Sequence, residues 1–260
     1  SPVMMENPKD ENELITPALE GTKNVLRAAS EAGVKRVVVT SSVAAILYGR
    51  DDEIDEDFSF NEEHWTDVNH KNTSAYAKSK TLAEKAAWEF IEKDSSGMEL
   101  SVVNPAMVFG PVLEEDYGTS VGVILEMMSG NYPMVPNMDM GIVDVRDVAD
   151  LQLLAMTRPE AAGKRFVCSE SNMMMKEQTD FLRDAFPEFQ NKIPTREAPT
   201  WLLKLFAFLR PPLKMIAPEL GKNRKLDSSR AKELLGWKPR PAKEAIKAAA
   251  ESLIKFDSLN

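Results

Sequence analysis

The segment NTSAYAKSKTLAEKAAWEF, residues 72–90, sets Tyr76 and Lys80 four positions apart among small side chains. On a helix that spacing puts both on one face, one turn apart. A free phenol, with a pKa of about 10, holds its proton too tightly to exchange it easily at neutral pH, and a neighbouring ammonium lowers that value. Such a phenol can deliver a proton to a carbonyl oxygen while hydride arrives at carbon. No side chain donates hydride, so the chemistry implies a nicotinamide cofactor. A Tyr-x-x-x-Lys pair alone is common by chance, and its surroundings decide. The run VVVTSS places Thr40, Ser41 and Ser42 at the end of one β-branched stretch, and SVVNPAMVFGP places Asn104, Pro105 and Met107 at the end of another.

The elements that must position these residues follow from periodicity. Residues 10–32 read as a helix, with Asp10 and Glu13 as a capping-box-like start, a stripe through Ile15, Leu19, Leu26 and Ala29, and Gly33 as the stop. KRVVVTSS reads as a strand buried on both faces. A polar loop over 50–72 leads to the Tyr76 helix, roughly 74–94, and then to a second buried strand in MELSVVNPAMVFGP, ending at Asn104-Pro105. Further on, a helix is expected near 119–130, a strand at GIVDV, a helix at about 146–157 and a strand at KRFVCSE, with the last ninety residues mostly helical. Helix alternating with strand indicates an α/β fold with a doubly wound parallel sheet, whose ligands sit outside the carboxyl ends of the strands. Strand ends and helix start would then aim Thr40, Ser41, Ser42 and Tyr76 at one crevice.

Composition excludes several alternatives. The chain has 260 residues and a net charge of -9, which argues against a nucleic-acid partner. Its single cysteine, Cys168, allows neither an internal disulfide nor a cysteine-based metal site and suits a reducing, cytoplasmic setting. His64 and His70 sit in polar sequence and read as solvated loop residues rather than ligands, so no metal is expected. No stretch reaches the roughly 20 apolar residues of a membrane span. WLLKLFAFLRPPLKMIAPEL could touch a membrane or cover a pocket, but charges and two prolines interrupt it and packing within the domain is favoured.

The stretches ENELITPALEGTKNVLRAASEAGVKRVVVTSS, YAKSKTLAEKAAWEF, NPAMVFGP, VDVRDVADLQLLAM and SRAKELLGWKPRP run through nearly the whole chain. In them the chain resembles the extended short-chain dehydrogenases/reductases of the NAD-dependent epimerase/dehydratase superfamily, specifically the dihydroflavonol-4-reductase-like branch. That branch includes cinnamoyl-CoA reductases and NADPH-dependent aldehyde reductases. The resemblance implies a Rossmann-like dinucleotide-binding part, 1–110 with 144–170, and a smaller, mostly helical substrate domain, 111–143 with 171–260. It implies a catalytic triad of Ser42, Tyr76 and Lys80. Tyr76 would be the general acid, Lys80 would lower its pKa and bind the nicotinamide ribose, and Ser42 would orient the carbonyl beside Val43. The cofactor would be NADP(H), with NAD(H) as the alternative. It would touch Ser1, Thr40, Ser41, Tyr76 and Lys80, the backbone around Pro105, Met107 and Val108, and Thr119 and Ser120 at its phosphates. An N-cap role for Thr119 and Ser120 is the competing reading. Trp237 reads as a packing residue.

Two departures qualify the resemblance. The family opens with a glycine-rich strand–turn–helix that holds the pyrophosphate, and no such motif occurs here. SPV matches the family near the end of its fourth strand, so the fold is expected to lack its first strands, roughly 70–80 residues, and the chain to bind NADPH weakly. Flavonoid-reducing members also carry a polar residue shortly after the serine, where this chain has Leu47 in VAAILYG. That apolar run points to aldehydes or simple ketones. A nucleotide-sugar epimerase or dehydratase shares the triad and is the rival enzyme, distinguishable by a substrate screen. A non-catalytic dinucleotide-binding protein is the rival of another class, and retention of both Tyr76 and Lys80 speaks against it.

Overall fold

The computed structural model describes residues 8, 10–50, 58–115, 117–207, 216–256 and 258–259. Ser1, expected at the cofactor, lies outside them. Two compact units emerge: residues 1–106 with 148–168 and 226–238, and residues 107–147 with 169–225 and 239–260. The sequence reading grouped 226–238 with the second unit. Contacts tie it to the first: Leu226 bridges Phe60, Asp227 N donates to the Phe60 carbonyl, and Arg230 pairs with Glu62 and Glu63.

The first unit is built on a parallel sheet of three strands, β1 (Arg36–Thr40), β2 (Glu99–Pro105) and β6 (Lys164–Cys168), in the order β1-β2-β6. β2 is central, and its residues from Leu100 to Pro105 are all buried. β1 was expected to be buried on both faces, but it pairs along one edge only among the described residues, and Val37–Val39 are half-buried. A valine run alone does not distinguish a central from an edge strand.

Two helices, α1 (Asn12–Glu31) and α2 (Ala75–Lys93), contribute Leu26 and Ala87 to a core with Met98, Leu100 and Val102. Each large aliphatic side chain so buried contributes about 1.5–3 kcal/mol. The capping box expected at Asp10 is absent. Asp10 Oδ1 instead accepts from Asn12 N at 2.9 Å, and Glu11 at the N-cap makes no side-chain cap. A second cluster joins Ile46, Leu47, Phe60 and Val167, so the apolar run after Ser42 is core rather than pocket lining. His64 is not simply solvated. Its ring packs edge-on against Phe58 and Phe60, and Nδ1 accepts from Asn61 N.

In the second unit β3 (Met107–Phe109), β5 (Asp139–Asp144) and β7 (Ser171–Met174) form a sheet in which β5 runs parallel to β3 and antiparallel to β7. β4 (Val135–Pro136) and β8 (Glu197–Ala198) make a short parallel pair. Helices α3 (Thr119–Ser129), α5 (Met175–Ala185) and α8 (Ala242–Lys255) enclose a core that includes Phe109, Ile124, Met128, Ile142, Leu182 and Ile246. The strand read in MELSVVNPAMVFGP ends at Pro105, as expected, and a second short strand, β3, follows it. Ala106 N bonds to the Cys168 carbonyl as the last tie to the first sheet, and β3 joins the other. The remaining helices are α4 (Val145–Thr157), α6 (Thr200–Phe206) and α7 (Ser229–Leu235). α6 departs from the packing expected of it, because Trp201, Leu205 and Phe206 are exposed. Residues 208–215 of the same apolar run lie outside the described residues.

Candidate active site

β1 ends at Thr40, whose hydroxyl accepts from Gln152 Nε2 at 2.6 Å and so ties the strand end to α4. Ser41 N still reaches the Val103 carbonyl of β2, and the chain then turns. Ser42 is extended, with φ −165° and ψ 155°, and its Oγ accepts from Ala44 N, capping the short 3-10 turn Val43–Ala45. This cap fixes the serine at the sheet's carboxyl end. α2 starts at Ser74, whose hydroxyl accepts from Ala77 N, so Tyr76 occupies the helix's second position. Lys80 follows one turn later, with Nζ 5.9 Å from the Tyr76 ring centroid.

Ser42, Tyr76 and Lys80 therefore meet within one unit, and all three are half-buried. Burial pushes the Tyr76 phenol above its ordinary value, and a hydrogen bond with the Ser42 hydroxyl pulls in the opposite direction without cancelling it. The expected lowering by Lys80 is not the effect acting here. The ammonium sits beside the ring, and the phenol's one lowering partner is the serine. Burial in turn lowers the Lys80 pKa, opposed by the charge of Glu84.

Among the residues expected at the cofactor, Thr40, Ser41, Tyr76, Lys80 and Pro105 fall in the first unit. Pro105 is buried at the end of β2, so its backbone is what it could offer a ligand. Met107 and Val108 lie on β3 and Thr119 and Ser120 on α3, all in the second unit. The competing N-cap reading of Thr119 and Ser120 does not hold, because Gly118 is the N-cap and the two hydroxyl residues occupy the first turn. Val43 is half-buried in the turn that Ser42 caps.

Sequence reasoning missed Glu84 and its partner Arg165. Glu84 is buried and receives hydrogen bonds from Ser41, Asn104 and Arg165. Its signal was the spacing of an acid four residues beyond Lys80, which puts the two on one helix face.

The donor set fits a nicotinamide nucleotide. Lys80 is a half-buried ammonium with no direct ion pair among the described residues, beside a phenol and a serine hydroxyl that reach the same point. Such donors suit ribose hydroxyls and a carbonyl oxygen.

Residues 3–169 match the NAD dependent epimerase/dehydratase family. The NADPH-dependent methylglyoxal reductase GRE2 of Saccharomyces cerevisiae is 33% identical over 273 residues, which cover 99% of this chain and 75% of the relative. Cinnamoyl-CoA reductase 1 of Petunia hybrida is 39% identical over 189 residues, covering 72% of this chain and 55% of that protein. The crystal structure of yeast methylglyoxal/isovaleraldehyde reductase Gre2 complexed with NADPH superimposes with a TM-score of 0.81 at 33% identity, over 100% of this chain and 76% of the other.

Proposed function

The chain belongs to the NAD dependent epimerase/dehydratase family, and from that premise we propose that it is an NADPH-dependent carbonyl reductase acting on small aldehydes and ketones. The observation that carries this reading is the convergence of Ser42, Tyr76 and Lys80 at the carboxyl end of β1, supported by two similar proteins named as reductases. The cofactor, when bound, supplies the hydride. The chain's own residues do the rest. The Ser42 hydroxyl and the Tyr76 phenol bind the carbonyl oxygen and orient it. Tyr76 gives up its proton to that oxygen as negative charge develops there. Because burial raises the phenol's pKa, Tyr76 carries the proton at neutral pH, the form a reduction needs. Lys80 would hold the ribose hydroxyls, and the Ser42 hydroxyl stabilises the phenolate that remains. A cytoplasmic setting suits a chain whose single cysteine can form no internal disulfide.

The test is a substrate panel in the full-length protein, followed by NADPH consumption. Methylglyoxal, isovaleraldehyde and aromatic aldehydes are expected to be turned over, and UDP-sugars are not. Turnover of the sugars alone would assign the site to an epimerase or dehydratase instead.

A further inference from the structure

Glu84 is 1% exposed, and every oxygen of its carboxylate is used. Oε2 accepts from the Ser41 hydroxyl at 2.5 Å and from Asn104 Nδ2 at 2.8 Å, while Oε1 accepts from Arg165 Nε at 2.5 Å. Asn104 Nδ2 also donates to the Ser42 carbonyl at 3.1 Å. One carboxylate on α2 thus ties together the ends of β1 and β2 and the start of β6. Arg165 is itself anchored. Nη1 donates to the carbonyls of Glu62 and His64 at 2.8 and 2.9 Å, and the guanidinium carbon lies 3.7 Å from the Trp65 ring centroid.

A buried ion pair of this kind is weak evidence for stability, because desolvation offsets the attraction and an apolar pair of similar volume often serves a fold as well. An apolar pair could not hold Ser41 and Asn104, nor place a negative charge one turn from Lys80. We propose that Glu84, anchored by Arg165, is the positioning residue of the Ser42–Tyr76–Lys80 site: it fixes the backbone that carries Ser42 and is the counter-charge of the Lys80 ammonium. Its catalytic consequence rests on the reductase reading; its effect on Lys80 does not.

The surrounding charges support this assignment. On α2 the groups at the site are Tyr76, Lys80 and Glu84, and from β6 the one facing them is Arg165. From the segment before α2, Glu62 turns its carboxylate to Val167 N and Arg230, and His64 spends Nδ1 on Asn61 N. Lys85 lies over Trp65. Glu84 is the acid that opposes the effect of burial on Lys80.

The experiment measures Lys80 directly, by competitive acetylation across alkaline pH read by mass spectrometry, with exposed Lys93 as internal reference. In Glu84→Gln the Lys80 midpoint should fall by about one pH unit, a tenfold change in proton affinity. Glu84→Asp, which keeps the charge on a shorter arm, should keep the midpoint while lowering kcat. Glu84→Gln with Arg165→Gln leaves no orphaned guanidinium and should show the same drop as the single variant. An unchanged midpoint in the folded Gln variants overturns the proposal. So does a doubly neutral variant that cannot fold, which would make the pair purely structural. If no carbonyl is turned over, the reductase reading fails, while the Lys80 midpoint still decides the role of Glu84.

Discussion

At the residue scale, Tyr76 and Lys80 are each pulled in opposite directions by burial and by one neighbouring group. Burial raises Tyr76 and lowers Lys80, while Ser42 and Glu84 pull the other way. Tyr76→Phe keeps the ring and removes the proton. It is expected to lower kcat for aldehyde reduction by at least about a hundredfold, the scale of one acid–base group, with little change in unfolding temperature. Steady-state kinetics beside a thermal melt check this, and activity within twofold of the parent would rule Tyr76 out as the acid. Reduction should hold steady through neutral pH and decline only in the alkaline range, where the phenol begins to lose its proton. The Tyr76–Lys80 pair was legible because four-residue spacing has one meaning on a helix. Arg165 was not, because 81 residues separate it from Glu84, and the two lie on different elements, β6 and α2, that only the tertiary fold brings together. The polarity of α2 was equally misleading. Ser79, Thr81 and Glu84 are buried whereas Leu82 is half-buried, since the hydroxyls bond back to the Tyr76 and Ala77 carbonyls.

At the element scale, the turn after β3 depends on Gly110. Its φ is +120°, and a Cβ there would come within 2.9 Å of Val145 Cγ1 and 3.0 Å of Asp144 Oδ1. Gly110→Ala combines backbone strain with a clash and should destabilise by about 1–3 kcal/mol, measurable by urea unfolding. Asp144 itself ends β5 with a fully buried side chain. Burial pushes its carboxyl up, but hydrogen bonds from the Arg146 side chain and backbone outweigh this and hold it below the ordinary 3.8. A carboxyl lowered in the folded state adds stability above its unfolded pKa and loses it as pH falls through the folded value. Asp144→Asn should therefore cost about 1–3 kcal/mol at pH 7, about the penalty for buried donors losing an acceptor. It should also flatten the decline in stability as pH falls below about 4. Equal slopes for parent and variant would show that Asp144 is not the group titrating. Helix bounds were readable from periodicity, and so was the end of β2 at Asn104-Pro105, but the passage of β3 into another sheet was not. Nothing in the apolar residues beyond that end says that they pair in a different sheet.

At the scale of the whole molecule, hydrophobicity predicted burial well in β2 and poorly in β1 and α6. The run WLLKLF was expected to pack within its domain, yet Trp201 is 69% exposed, Leu205 59% and Phe206 44%. Pattern counts only apolar residues, and whether other atoms are there to cover them is a property of the assembled unit. The three side chains rank among the larger exposed apolar residues of the chain, the kind of surface that promotes association between molecules. Substituting all three with serine removes apolar surface already in water. The free energy of unfolding should then change by no more than about 0.5 kcal/mol, as for other surface replacements. Solubility should rise, and concentration-dependent light scattering should fall. Chemical denaturation together with static light scattering tests both. A loss above about 2 kcal/mol, on the scale of burying one such side chain, would mean that these residues are covered when the protein folds in solution, and the packing first read from the sequence would stand.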